Sequence, residues 1–292
     1  MNIGTLPASH LPSVLYSHGW LYLSPAEEAD GGFRYALTLP CAGACSITVK
    51  PVRGTLICQA DRTLSARDRA ALRQVIHRML SLDFPLEEFQ AVCKARKATR
   101  FLRLSRQGWG RMFRSPTCWE DAVKTLCTTN ASWGYTQQMC QRLCAELGEA
   151  TPSGSKAFPT PQRVIDAGEP FLKKTVGMGY RSKSLFLLAG KASSNKVPWL
   201  LDDSILVGEG EAEKEIESWH GFGRYATRHL LVLMGFHRYL PVDREVGLHL
   251  GVRKAGDRDS KLDADHFAAW GKFRFTAYKV SRVAKRLNWI GD

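Results

Sequence analysis

The sequence predicts an α+β protein that is mainly α, with an N-terminal β-sheet domain in front of a helical body. Three observations carry this. Phe33, Tyr35, Leu37 and Leu39 alternate with Arg34, Ala36 and Thr38, the period of a half-buried strand. From Ser65 onward, apolar residues recur instead at helical spacing, as in Leu72, Val75, Ile76 and Met79. Late in the chain, two helical runs flank a Gly-x-Gly turn, Gly221-Phe222-Gly223. The expected division is residues 1–92 and 93–292, with a helix-hairpin-helix at about 211–236.

A chain of 292 residues suits two or three packed units. Hydrophobic residues make up 44% and charged residues 24%, enough for a full core. Forty-one Lys and Arg against 28 Asp and Glu leave a net charge of +13, which favours a polyanionic partner over a small neutral one. The first residues, Met1 to Pro7, lack a basic start followed by an apolar run, and the longest apolar runs are too short to span a bilayer. A soluble monomer, cytoplasmic (nucleoid-associated if bacterial) and without a membrane partner, is expected. The 8 cysteines lack Cys-x-x-Cys spacing and are expected as buried thiols rather than zinc ligands or disulfides.

The N-terminal strands continue through Ile47 and Val49, and Pro51-Val52-Arg53-Gly54 turns the chain into Thr55 to Gln59. Ser65, with Asp68 three residues on, fits a helix N-cap. Lys94 to Arg106 is a basic stretch that either tracks a phosphate backbone or forms a connecting helix with a solvated side. Ser115-Pro116-Thr117 opens a buried helix through Cys127, broken at 128–132 and resumed through Leu147 until Gly148 stops it. A polar break between buried helices either offers Asn130 and Trp133 to a ligand or is ordinary loop chemistry. Thr160-Pro161 starts another helix. Gly177 and Gly179 ahead of Arg181 cradle a phosphate or simply turn the chain. Trp270 to Arg286 reads as a closing helix with aromatic and basic residues.

The hairpin has a physical rationale. Glycine permits positive φ and a close approach by another chain. The helix beginning near Arg224 presents unpaired N–H groups and a positive dipole end to an anion. Phe222 packs beneath. About three helical turns later, Pro241-Val242-Asp243 brings a carboxylate to the start of the next helix. Asp243 there fits an N-cap, and the same position keeps it ionised at neutral pH.

Gly-Phe-Gly-Arg-Tyr-Ala, the apolar helix ending in Met-Gly, and Leu-Pro-Val-Asp together resemble the signature of the helix-hairpin-helix (HhH-GPD) DNA glycosylase superfamily. The similarity is to its 3-methyladenine/8-oxoguanine branch. Leu15-Tyr16-Ser17-His18-Gly19-Trp20, Leu126 to Asn130, and Gly177 to Arg181 extend the likeness over nearly the whole chain. The resemblance implies base excision from double-stranded DNA carrying a damaged base, flipped into a cleft. It puts Asp243 in the catalytic position, stabilising an oxocarbenium-like sugar. Asn130 is implied near the side chain that fills the vacated base stack. Gly221, Phe222, Gly223, Arg224, Gly177, Gly179 and Arg181 are implied as DNA contacts.

Members that also cut the backbone carry a lysine at position 225, where this chain has Tyr225. A phenol cannot form an imine, so monofunctional hydrolysis without AP lyase activity is expected. Tyr225, Trp133 and Trp219 are expected as pocket walls suited to an alkylated, electron-poor base. Oxidised or deaminated bases, or a non-catalytic DNA-binding role, are the alternatives. Trp219-His220 stands where the family has Leu-Pro. No cofactor is required. A structural Na⁺ or K⁺ on the backbone carbonyls of Glu217, Trp219 and Phe222 is implied by resemblance, and no iron–sulfur cluster, because Cys144 is the last cysteine.

Overall fold

A computed structural model describes residues 1–3, 6–251 and 267–287. Four strands, β1 (Ala26–Ala29), β2 (Gly32–Leu39), β3 (Gly43–Val52) and β4 (Thr55–Ala60), form an antiparallel meander in chain order. The register pairs Phe33 with Val49, Tyr35 with Ile47 and Leu37 with Cys45, so the predicted alternation puts one face of the sheet in the core. A short helix, α1 (Leu11–Leu15), precedes the sheet.

The helices that follow are α2 (Ala66–Met79), α3 (Leu86–Ala95), α4 (Thr99–Arg106), α5 (Cys118–Thr128), α6 (Trp133–Leu147), α7 (Pro161–Lys174) and α8 (Arg181–Ser193). Then come α9 (Glu209–Glu217), α10 (Arg224–Leu233), α11 (Arg244–His249) and the closing α12 (Arg274–Arg286). Ser65 caps α2 in a reciprocal box with Asp68. Thr117, Ser132 and Thr160 cap α5, α6 and α7 through their hydroxyls. The basic stretch 94–106 is not one helix. Lys97 takes a positive φ of 55° between α3 and α4 and breaks it.

The expected boundary at residue 92 falls inside α3, and the hydrophobic core does not respect it. Helix α5 runs beneath the sheet, where its fully buried Lys124 pairs with Glu120 at 2.8 Å and donates to the Tyr35 hydroxyl of β2 at 3.0 Å. Tyr35 in turn donates to Glu120. Such a buried triad adds little net stability, but losing one member strands a charge in low dielectric. A second cluster, Phe84, Phe89, Cys93, Leu104, Phe273, Val280 and Ala284, brings the closing helix back onto α3 and α4. The closing helix thereby reaches the cleft that the segment before the sheet also lines.

All 8 cysteines are free thiols; Cys41 is exposed and the others are buried. No group of His, Cys, Asp or Glu suited to a metal ion occurs among the described residues. No helix among them is long and apolar enough to cross a membrane.

Candidate active site

Helices α9 and α10 form the predicted hairpin around residues 218–223. Gly221 has φ +86°, and a Cβ there would lie 2.4 Å from Ser184 Oγ on α8, so both conformation and space demand glycine. Gly223 differs from the expectation. It is extended, with φ −85° and ψ −178°, and caps α10. A Cβ on Gly223 would meet nothing within 4 Å, so this corner is open to an approaching chain. His220 Nδ1 lies 2.8 Å from Ser184 Oγ and pins the turn to α8.

Trp219 is not a pocket wall. Its indole is buried, stacks on Trp199 with centroids 5.8 Å apart, and meets Phe222 edge-on at 5.1 Å. Its Nε1 donates to Glu215 at 2.8 Å, and Glu215 pairs with Lys191 of α8 at 2.9 Å. The unusual tryptophan thus braces the hairpin from below.

Arg181 also departs from its expected role as a DNA contact. It is 2% exposed and donates through Nε to the Thr129 carbonyl at 3.1 Å, with its guanidinium 4.5 Å from the Tyr180 ring centre. Burial leaves it no face for a phosphate, and it shapes the loop after α5 instead. Gly177 and Gly179 take φ of +78° and +58°, turning the chain toward that loop. Asn130 sits exposed at the loop tip in the left-handed region, φ 46°, a conformation asparagine tolerates. The exposed Tyr180 stands beside it, 3.5 Å from hydroxyl to Asn130 Nδ2. Arg224 begins α10 on the open side of the hairpin.

A cleft of about 800 Å³ opens between the N-terminal segment, the loop after α5, α10, the start of α11 and α12. It gathers Trp133, Tyr225 and Asp243. Trp133 is half-exposed and lies across Gly19, whose missing Cβ gives the ring room. Tyr225 stacks nearly parallel on His229 at 5.7 Å.

Asp243 N-caps α11, with Oδ1 accepting the Val246 N–H at 2.8 Å. Water reaches it from the cleft mouth, yet protein crowds it on the other sides. That crowding raises its pKa above the ordinary aspartate value. The Val246 N–H and Arg282 oppose the rise, so the helix terminus moderates burial rather than dominating it.

Several lining residues lie in segments that the sequence marks only by resemblance or by composition. His18 stacks on Trp20 at 4.7 Å, and Trp20 meets His229 edge-on at 5.0 Å, making an aromatic floor. Asp121 holds that floor by accepting Trp20 Nε1 at 2.8 Å while pairing with Arg78 at 2.9 Å. Burial drives His229 down to about 3 and His18 well below its ordinary value, so both rings are neutral. Phe113 N–H donates to Ser17 Oγ at 3.1 Å, and the same oxygen lies 3.1 Å from His18 Nδ1. His18 Nε2 is an enclosed atom without a hydrogen-bond partner among the described residues. Helix α12 adds Phe275, Tyr278, Lys279, Arg282 and Arg286. The only hint of these was the mixture of aromatic and basic residues near the carboxyl end.

No family model matches the chain. It is 22% identical over 202 residues to the N-glycosylase/DNA lyase of Saccharomyces cerevisiae, a match covering 64% of this chain and 51% of that protein. The chain thus spans about half the length of the curated relative it matches. Among solved structures, the 3-methyladenine DNA-glycosylase from Archaeoglobus fulgidus superposes with a TM-score of 0.72 at 18% identity, covering 95% of this chain and 94% of that one. The Clostridium acetobutylicum 8-oxoguanine glycosylase/lyase, bound to DNA containing cytosine opposite 8-oxoguanine, gives 0.69 at 12%, covering 97% and 94%. The fold is that of these DNA glycosylases, an antiparallel sheet joined to a helical body with the hairpin between α9 and α10.

Proposed function

We propose that the protein is a DNA glycosylase, hydrolysing the N-glycosidic bond of a damaged base flipped out of double-stranded DNA, with Asp243 as its catalytic carboxylate. The observation that carries this is Asp243 at the mouth of a cleft floored by aromatic rings, one short connection beyond a helix hairpin. Breaking the bond develops positive charge on the sugar, and a fixed anion stabilises that charge without reorganising. The aromatic floor offers a face for a base, and the exposed Asn130, beside Tyr180 at the loop tip, is assigned to fill the vacated stack. The open corner at Gly223 and the start of α10 suit a backbone phosphate. The net charge of +13 draws the duplex.

Position 225 bears a phenol, so the hairpin supplies no amine for an imine, and the product is an abasic site with an intact backbone. A monovalent cation at the end of α9 is compatible with the main chain. The Trp219 carbonyl already accepts the Phe222 N–H at 3.1 Å and keeps one lone pair for such an ion, alongside the carbonyls of Glu217 and Phe222. No chemical step depends on it.

The test is a set of duplexes, each with one alkylated, oxidised or deaminated base, incubated with the protein and developed with and without alkali. Strand cleavage at the lesion only after alkali is the expected result. Intact strands on every duplex, with binding retained, would leave a DNA-binding protein without this chemistry.

A further inference from the structure

The cleft holds a charged group that hydrolysis assisted by Asp243 alone leaves unused. Lys279, in the second turn of α12, is half-buried and lines the same cavity as Asp243. Its Nζ lies 5.9 Å from the centre of the Phe275 ring, and no carboxylate is within ion-pair distance among the described residues. Of the acidic residues lining the cleft, Glu245 is taken by Arg282 at 2.9 Å and Asp243 faces the Val246 N–H. Among the described residues, the charge of Lys279 lowers the pKa of both His18 and His229. Those rings with Trp20 form the floor of the cavity that Lys279 lines together with Asp243.

We infer that Lys279 meets the departing base, and that the cleft therefore acts on neutral lesions, whose bases leave as anions and need a proton, rather than on cationic alkylated purines. This rests on the glycosylase reading. The aromatic lining alone suits a cationic base, but charge decides otherwise. Arg244, Lys279, Arg282 and Arg286 line the cleft against Asp243 and Glu245, with both histidines neutral. A base that is already positive gains nothing from a second cation beside it and is repelled in a cavity where screening is weak.

The C1′–N bond breaks with its electron pair on the base nitrogen. The Lys279 ammonium gives a proton to the base, becoming an amine. Water adds its oxygen to C1′ and passes a proton to the Asp243 carboxylate. The products are the neutral free base and an abasic sugar, and a proton returned through solvent from Asp243 to Lys279 resets the site. A cationic alkylated purine leaves as a neutral molecule and requires no such donor. Burial, with Arg282 and Arg286 on the same helix, brings Lys279 down to about 7, close to the match a proton donor wants at neutral pH.

The test measures single-turnover base release from duplexes containing hypoxanthine, uracil or 8-oxoguanine against one containing 7-methylguanine, which is cationic. Wild type is expected to favour a neutral lesion. In Lys279→Gln that preference is expected to fall by about 100-fold, the usual worth of a general acid. Thermal melting and duplex binding check the fold. Should that variant be unfolded, Lys279→Arg preserves the charge but cannot release its proton, and it should lower the preference by about 10-fold. Equal losses on neutral and cationic lesions, or a wild-type preference for 7-methylguanine, would overturn the role of Lys279 while leaving glycosylase activity standing. Borohydride trapping on a preformed abasic duplex is the second arm. An adduct that disappears in Lys279→Gln would mean attack at C1′ and would also overturn it. A wild type inactive on every duplex would remove the enzymatic reading, and this inference with it.

Discussion

Asp243 is held between opposing effects: burial raises its pKa, while the Val246 N–H and Arg282 pull it back. Its catalytic form is the anion, so activity is lost as pH falls through a pKa higher than that of an exposed aspartate. Lys279 acts as the ammonium, and its pKa is lowered to about 7, so release of a neutral base is lost as pH rises above that value. The other groups facing Lys279 are Arg282 and Arg286 on its own helix, Asp243 from α11, and His18 and His229, both already neutral. A bell-shaped profile of kcat/KM is therefore predicted for a neutral lesion, measured by single-lesion excision across pH. Lys279→Gln should remove the alkaline limb and leave the acid limb in place.

At the scale of elements, the hairpin's two glycines do different work. Gly221→Ala forces a side chain into the left-handed region and against Ser184 Oγ, and should lower stability by about 1–3 kcal/mol, read by denaturant unfolding. Gly223→Ala has room and ordinary dihedrals, so stability should hold while duplex affinity falls, because the new methyl occupies the open corner. Equal destabilisation by both would mean that the turn is one rigid unit with no contact surface. The weld between sheet and helical body has its own test. Lys124→Met leaves Glu120 buried and uncompensated, and should cost about 3–5 kcal/mol. Arg282→Ala should cost far less stability, since its partner Glu245 is well exposed.

Across the whole molecule, local patterns in the chain identified elements better than they identified neighbours. The strand at 33–39, the Ser65 cap, the break at 128–132 and the carboxylate after Pro241-Val242 are short-range signals, and each appears in the structure. The cleft's other components are brought together by long-range packing. His18 comes from before the sheet, His229 from α10 and Lys279 from the last helix, and no spacing in sequence joins them. Trp219 and Arg181 misled for the same reason, since residue type says nothing about which side of an element meets the core. The net charge makes a prediction at this scale too: duplex affinity should fall steeply with salt, with a log–log slope of about −0.9 for each phosphate neutralised. The most direct measurement compares Asp243→Asn with wild type on the preferred lesion duplex, following base release and equilibrium binding side by side. Release lowered by about 100-fold or more with binding within a few-fold of wild type is the predicted outcome. Base release at the wild-type rate from the asparagine variant would contradict a carboxylate-assisted glycosylase.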